Sequence, residues 1–122
     1  MRYNIKGTDI QITPENRAYV EKRLASLDKF VGNLEASRTD VELKFEALRD
    51  GQRYYAELML HEPGLPKVLR AEARGDALYE AIDIAAAELF RNLTQTKRKR
   101  LNVFRRSAVK AKEYLRGWRD RF

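Results

Sequence analysis

Apolar residues recur along this chain at two different periods, and the changes of period predict the order of its elements. The first apolar residues alternate with polar ones around Gly7 and predict an opening strand that reaches Ile12, with a bulge at the glycine. Thr13-Pro14-Glu15 then supplies an N-cap, a proline for the first helical position and an acid in the first turn. We therefore expect a helix over about residues 14–30, with Gly32 as its left-handed cap. Its apolar stripe is Val20, Leu24, Leu27 and Val31.

From Thr39 the period becomes two residues, as strands with one buried face require. The pattern predicts three antiparallel strands over 39–47, 54–60 and 67–74, with a hairpin turn at Asp50-Gly51. Beyond Gly75-Asp76 the helical period returns, at Leu78, Ile82, Ala85, Leu89 and Leu93. The predicted order is β-α-β-β-β-α. It is an α+β fold in which two helices pack on one face of a four-stranded sheet and leave the other face exposed.

Charge is divided unevenly along the chain. Residues 1–90 contain 13 Lys and Arg against 16 Asp and Glu, whereas residues 91–122 contain 12 against 2. The net charge of +7 therefore belongs to a basic C-terminal block on a mildly acidic body. Such a concentrated positive field favours a polyanionic partner.

Exposed cations on the two predicted helices are the candidate contacts for this partner. Lys22 and Lys29 are seven residues apart on the first helix, away from its apolar stripe, and Arg91 and Arg98 repeat that spacing on the second. Residues 97–100 form a basic turn that also complements the helix dipole. Solubility and helix capping are the alternative roles for these lysines. The full candidate set is Lys22, Arg23, Lys29, Arg91, Lys97, Arg98, Lys99, Arg100, Arg105 and Arg106.

Residues 103–122 carry a second apolar pattern, which distinguishes a basic amphipathic tail from a body of residues 1–102. Three uses fit this tail: folding back on the body, pairing with another tail, and burial against a partner or a membrane surface. Because so short a seam makes an isolated coiled coil marginal, we expect a helical tail that orders on a partner. The seam consists of Phe104, Ala108, Ala111, Leu115, Trp118 and Phe122.

Motifs that carry chemistry are scarce. No cysteine occurs, which excludes disulfides and thiolate metal sites and fits a reducing compartment. His61 adjoins a Pro-Gly turn, where we expect an exposed loop imidazole rather than a catalytic base. No nucleophile–base pair, phosphate-binding glycine loop or dinucleotide fingerprint is present. We expect no enzyme activity, cofactor, metal or small-molecule substrate and, without a signal-peptide-like or membrane-spanning stretch, a soluble cytoplasmic protein.

Three segments resemble a known family over about residues 1–101. The most specific is Gly75 to Asp83, GDALYEAID, which looks like the family's signature at the start of its last helix. The second runs from Ile5-Lys6-Gly7 to Lys29-Phe30, and the third is Arg91-Asn92-Leu93-Thr94 followed by Lys97 and Lys99. Together they resemble the short type of the ribosome hibernation-promoting factor family, also called ribosome-associated inhibitor A or sigma-54 modulation (S30EA) proteins. The family's separate C-terminal dimerisation domain is not expected here.

The resemblance implies a stress and stationary-phase inhibitor of translation that binds the 30S subunit or the 70S ribosome. It implies that the protein occupies the channel for messenger and transfer RNA on 16S rRNA, by steric occlusion and without chemistry. Electrostatic contact with phosphates agrees with the basic helix ends, and the fold order is similar to that of double-stranded-RNA-binding domains.

Two other classes of function stay open at this point. One is a constitutive RNA-binding or ribosomal structural protein, and the other is a partner-binding or membrane-surface protein that acts through the amphipathic tail. We expect a monomer, with self-association through the tail as the alternative.

Overall fold

The structure, a computed structural model, describes residues 1–49, 51 and 53–120, without the side chains of Phe104 and residues 109–120. The elements are β1 (Arg2–Thr8), α1 (Pro14–Leu24), a 3-10 helix (Ala25–Phe30), β2 (Arg38–Phe45), β3 (Tyr54–His61), β4 (Leu69–Gly75) and α2 (Leu78–Asp120). The predicted order and the α+β class are confirmed.

The four strands form one sheet in the order β1-β2-β3-β4. β1 pairs with β2 in parallel. This is possible because α1 and the 3-10 helix, which connect the two strands, return the chain to the end of the sheet at which β1 begins. The predicted antiparallel succession of the other three strands is confirmed, with Leu43 opposite Ala56 and Leu58 opposite Ala71.

One face of this sheet packs against both helices and forms a single core. Alternate residues of β2 and β3 are buried there, as the period of two predicts. The apolar stripes predicted for the two helices are confirmed as the other half of the core. The large apolar side chains that are fully buried are Val20, Leu24, Leu27, Leu43, Leu58, Leu60, Ile82, Leu89 and Leu93.

The first helix begins as predicted but ends differently. Thr13 accepts a hydrogen bond from the Asn16 N–H at 3.1 Å, and its own N–H donates to Asn16 Oδ1 at 3.1 Å, so the two form a capping box ahead of Pro14. After Leu24 the helix tightens into the 3-10 helix and ends at Val31, which is extended. The prediction that Gly32 forms a left-handed cap is wrong, because its φ is not positive and its N–H donates instead to Glu62 Oε1.

Two further sequence predictions concern glycines. β1 has no bulge at Gly7 and ends at Thr8 rather than Ile12, because the chain reverses at Asp9, which has a φ of 56°. A Cβ on Gly7 would lie 2.4 Å from the Ile10 carbonyl oxygen, so the reversal requires this glycine. In the predicted Asp50-Gly51 turn, Asp50 lies outside the described residues, while Gly51 has the expected positive φ of 89°.

The other face of the sheet carries a network of paired charges. Arg70 Nη2 donates to Glu57 Oε2 at 2.6 Å and to Glu72 Oε2 at 3.1 Å, and the Tyr55 hydroxyl lies 2.6 Å from Glu72 Oε2. Lys44 and Arg74 lie over the Tyr55 ring, which is buried beneath them. Burial and the hydrogen bonds to the two carboxylates raise the pKa of Tyr55. The hydrogen bond from Arg70 lowers the pKa of Glu57, with a smaller contribution from Tyr55.

His61 belongs to this face rather than to a loop. β3 continues one residue beyond Leu60, so the alternation of the strand turns the imidazole toward the open side. The side chain is half-buried, and its Nε2 lies 3.0 Å from Asp40 Oδ2. The prediction of an exposed loop histidine is therefore wrong.

α2 is much longer than the sheet that it covers. Its 43 residues correspond to about 64 Å, whereas a strand of 8 residues spans about 27 Å. Every described side chain from Arg98 to Ala108 is exposed, so the helix leaves the body close to Lys97. The predicted helical extension is confirmed to Asp120, and its backbone passes the predicted boundary at 102/103 without a break.

Most of the predicted apolar seam of this extension lies outside the described side chains, and Phe122 lies outside the described residues. None of the described helices, α2 included, has an apolar stretch of the length needed to cross a bilayer.

We predict that Glu57→Gln removes part of the pH dependence of folding stability. Because the Glu57 pKa is lower in the folded chain than in the unfolded chain, ionised Glu57 stabilises the fold above the unfolded-state pKa. This stabilisation is lost as the pH falls through the folded-state pKa. The difference in the free energy of unfolding between the wild type and the variant should therefore shrink between about pH 5 and about pH 3.

Urea unfolding at a series of pH values measures this difference. Glu35→Gln is the matched control, because Glu35 is exposed and forms no ion pair with another described residue. A difference for Glu57→Gln that stays constant over the whole pH range would contradict the prediction.

Candidate nucleic-acid interface

The outward side of α2 carries a row of arginines, which we call the outer row and define as Arg91, Arg98 and Arg105. Seven residues complete almost two turns, so the three side chains lie on one face at steps of about 10 Å along the axis. Leu89 and Leu93 on the same helix point into the core, which directs the row away from the sheet. Lys99 and Arg106 repeat the seven-residue spacing beside it, and all five side chains are exposed.

The cations predicted on the first helical segment are divided between two elements. Lys22 and Arg23 lie in the last turn of α1, whereas Lys29 lies in the 3-10 helix. All three are exposed, and Lys22 and Lys29 stand away from the buried Leu24 and Leu27. The change of helix type therefore does not remove Lys29 from the surface.

Arg23 is held by an ion pair within the molecule. Its Nε lies 2.8 Å from Asp83 Oδ1, and the Tyr19 hydroxyl donates to the same oxygen at 2.6 Å. That hydrogen bond, more than the partial burial, raises the pKa of Tyr19. The Tyr19 ring stacks on Tyr79 at 4.1 Å, so the group joins α1 to the start of α2. Asp83 thus has the structural role of holding a neighbouring cation.

Lys97 is also held within the molecule. Its Nζ lies 2.5 Å from Glu62 Oε1, and the Glu62 side chain is only 1% exposed. The same oxygen accepts the Gly32 N–H at 2.9 Å. Lys97 therefore has an ion-pair partner within the molecule, whereas the other three members of the predicted basic turn at 97–100 have none among the described residues.

The remaining predicted cations form no ion pair with a carboxylate among the described residues, and all are exposed. They occupy the α1 end, the 3-10 helix and α2 from its middle onward. On the open face of the sheet, by contrast, Arg70, Arg74 and Lys44 are each paired with a glutamate. The unpaired members of the predicted set are Lys22, Lys29, Arg91, Arg98, Lys99, Arg100, Arg105 and Arg106.

This arrangement is suited to binding phosphates. Unpaired surface cations release bound counterions when they meet a polyanion, whereas cations in ion pairs must first lose their partners. Within the part of the chain that the structure describes, no group of three or more acidic or histidine side chains is arranged to hold a metal ion.

Glu62 is the residue of this region that the sequence analysis missed. It lies between His61 and a Pro-Gly pair, and an acid at such a place indicates an exposed turn. No signal in the sequence pattern pairs it with Lys97, because the two are 35 residues apart and meet only in the tertiary structure.

A family model described as "Sigma 54 modulation protein / S30EA ribosomal protein" matches residues 3–101. The match covers the sheet, α1 and α2 as far as the basic turn, and it stops before Arg105 and Arg106. The family resemblance seen in the sequence is thereby confirmed.

Curated relatives agree with this match. The ribosome hibernation promotion factor of Bacillus subtilis (strain 168) is 30% identical over 105 residues, which are 86% of this chain and 53% of that protein. The ribosome hibernation promoting factor of Klebsiella oxytoca is 31% identical over 99 residues, which are 81% of this chain and 96% of that protein. The chain spans about half the length of the longer relatives, such as the one from Bacillus subtilis.

Solved structures share the fold. The N-terminal domain of Thermus thermophilus Protein Y aligns with a TM-score of 0.67 at 30% identity, covering 78% of this chain and 98% of that one. A ribosomal subunit interface protein from Coxiella burnetii aligns with a TM-score of 0.64 at 18% identity, over 80% and 98% of the two chains, and supports the fold alone. The family model matches residues 3–101, and a solved structure at 30% identity shares the fold. This chain therefore belongs to the Sigma 54 modulation protein / S30EA ribosomal protein family.

Proposed function

We propose that this chain is a ribosome hibernation factor that binds the small ribosomal subunit in the cytoplasm. In this proposal it stops translation by occupying the channel for messenger and transfer RNA on 16S rRNA. The family match and the names of the relatives support the association with ribosomes. The distribution of unpaired cations supports the mode of contact.

The observation that carries the proposal is the contrast between the two sides of the molecule. The eight unpaired cations of the predicted set lie on the helices, are exposed and have no carboxylate partner among the described residues, while Lys44, Arg70 and Arg74 on the sheet are in ion pairs. The helical side therefore concentrates cations that can bind phosphates without breaking an existing ion pair. We infer that this side faces rRNA and that the open sheet face stays in solvent.

Affinity in this mode comes from charge and shape rather than from base recognition. Phosphate contacts fix the position of a protein on RNA but carry no direct sequence information. The ordered fold of the small subunit supplies the arrangement of phosphates that the rigid outer row matches. Inhibition then needs no chemistry, because the bound body excludes the ligands that translation requires.

The extension of α2 enlarges the occupied volume. The part of the helix beyond Lys97 adds about 34 Å to the body, and its described residues include Arg98, Arg105 and Arg106. We propose that this part follows the RNA surface away from the body, with residues 103–122 as a tail that adds affinity.

A second candidate function is that of a constitutive ribosomal structural protein, which the words "ribosomal protein" in the family description favour. The two functions differ in occupancy. A hibernation factor should appear on ribosomes mainly in starved or stationary cells, whereas a structural component should be present at every growth stage. Quantifying the protein in ribosome fractions through a growth curve distinguishes them, and constant occupancy would contradict our proposal.

The outer row should set the salt dependence of binding. We predict that Arg98→Gln with Arg105→Gln weakens binding to purified 30S subunits and reduces the slope of log affinity against log salt by about 1.4–1.8. The wild-type slope should be about −5 to −7 if roughly six to eight phosphates are contacted. Sucrose-gradient sedimentation or a filter assay over a salt series measures both quantities.

Lys6→Gln with Arg53→Gln is the matched control. It also removes two exposed cations, but neither lies on a helix. The control should leave the slope almost unchanged. Equal changes for the two double variants would mean that binding depends on net charge alone, and the proposed orientation would then be wrong.

Removing residues 103–122 should weaken binding to 70S ribosomes without abolishing it. The shortened chain keeps the body, Lys22, Lys29, Arg91 and the basic turn, and it loses Arg105, Arg106 and the cations that follow. Sedimentation with ribosomes at low and moderate salt measures the result. Complete loss of binding at low salt would favour the alternative in which the amphipathic tail carries the function.

A further inference from the structure

Glu62 is a buried carboxylate that joins three segments of the chain. It follows β3 directly, and its Oε1 accepts hydrogen bonds from the Gly32 N–H at 2.9 Å and from Lys97 Nζ at 2.5 Å. Gly32 belongs to the connection that leads into β2, and Lys97 belongs to α2. One oxygen atom therefore connects two loops of the body to the long helix.

The backbone closes tightly around this carboxylate. A Cβ on Gly32 would lie 3.2 Å from Glu62 Oε1, and one on Gly64 would lie 3.5 Å from the same atom. Arg100 Nη1 lies 3.9 Å from that Cβ position on Gly64, so a second cation of α2 reaches the same loop. Glu62 Oε2 is buried and has no hydrogen-bond partner among the described residues.

Lys97 stands at the point where α2 leaves the body. It is partly buried, and each described side chain from Arg98 to Ala108 is exposed. Burying a carboxylate is unfavourable unless a cation and further donors compensate for it, so the pair depends on both partners being in place. The Glu62–Lys97 pair is thus the last ionic contact between α2 and the body in the described part of the chain.

We propose that Glu62 is a positioning residue for RNA binding. By holding Lys97 it fixes the direction in which the cationic half of α2 leaves the body, and Lys97 itself does not contact phosphate. The proposal rests on the proposed function, because the row that Glu62 positions is the one assigned to rRNA. It changes the role of Lys97 from an RNA contact to an anchor.

The direction of the effect separates this role from simple electrostatics. Glu62→Gln removes a negative charge close to the cationic helix, which on charge alone should strengthen binding to RNA. If Glu62 positions the helix, the same substitution should weaken binding, because the free helix then samples directions that do not fit the ribosome. We expect about a tenfold loss of affinity for purified 30S subunits.

The salt dependence supplies a second readout. A loosened helix still forms its phosphate contacts once bound, so Glu62→Gln and Lys97→Met should both keep the wild-type slope. Arg98→Gln is the comparison, because it removes one member of the outer row and should reduce the slope by about 0.7–0.9. Glu62→Gln combined with Lys97→Met should lose little more affinity than either change alone, since both break the same contact.

Hydrogen exchange in the free protein tests the anchor without ribosomes. Glu62→Gln should accelerate the exchange of the backbone amides of residues 98–106 and leave those of residues 81–89, which are packed on the sheet, as in the wild type. General acceleration in residues 81–89 would show a loss of the fold and would count against a positioning role. The same measurement on the double variant Glu62→Gln with Lys97→Met serves as a check, because this variant breaks the same contact and leaves neither charge of the pair behind.

The outcomes that would overturn the proposal are specific. They are unchanged or tighter 30S binding by Glu62→Gln, a reduced slope for Lys97→Met, and unchanged exchange in residues 98–106. If the wild-type chain failed to bind 30S subunits, the proposed function would be wrong, whereas the exchange measurement would still decide whether Glu62 anchors α2.

Discussion

The structure depends on one constraint: a four-stranded sheet has a single apolar face, and two helical segments must cover it. α1 with its 3-10 helix covers one part, and the first half of α2 covers the rest through Ile82, Leu89 and Leu93. Because the apolar stripe of each helix points inward, its polar side must point outward. The outer row is therefore directed away from the sheet by the same packing that forms the core.

The two surfaces of the molecule use their charges differently. On the open sheet face, carboxylates such as Glu57 lie beside cations such as Arg70 and hold them in ion pairs. On the helical side, Arg23 and Lys97 are paired and connect parts of the fold, whereas the outer row has no partner among the described residues. The positive field thus remains on one side, where a polyanion can approach a rigid surface.

Local patterns were sufficient to predict most of the fold. The N-cap at Thr13, the alternation of β2 and the stripe of α2 depend on neighbours within a few residues, so the sequence predicts them. Gly32, by contrast, takes its conformation from a hydrogen bond to Glu62, which is 30 residues away. Gly7 is a local case that the alternation of the strand does not predict, because the reversal at Asp9 brings the Ile10 carbonyl oxygen against its backbone.

The same distinction applies to the candidate interface. Spacing along α2 predicts the outer row, since a helical face is a local property. It does not predict that Arg23 pairs with Asp83 or Lys97 with Glu62, because these partners lie on other elements. Both were proposed as RNA contacts with the others, and the structure gives each an internal partner.

Lysine labelling of the bound protein tests the central claim most directly, because lysines occur on both sides of the molecule. Reductive methylation of the chain, free and in complex with purified 30S subunits, compares Lys22, Lys29 and Lys99 on the helical side with Lys6 and Lys44 on the sheet. We predict that binding protects the first three lysines and leaves the other two reactive. Protection of Lys6 and Lys44 with continued labelling of Lys22, Lys29 and Lys99 would contradict it.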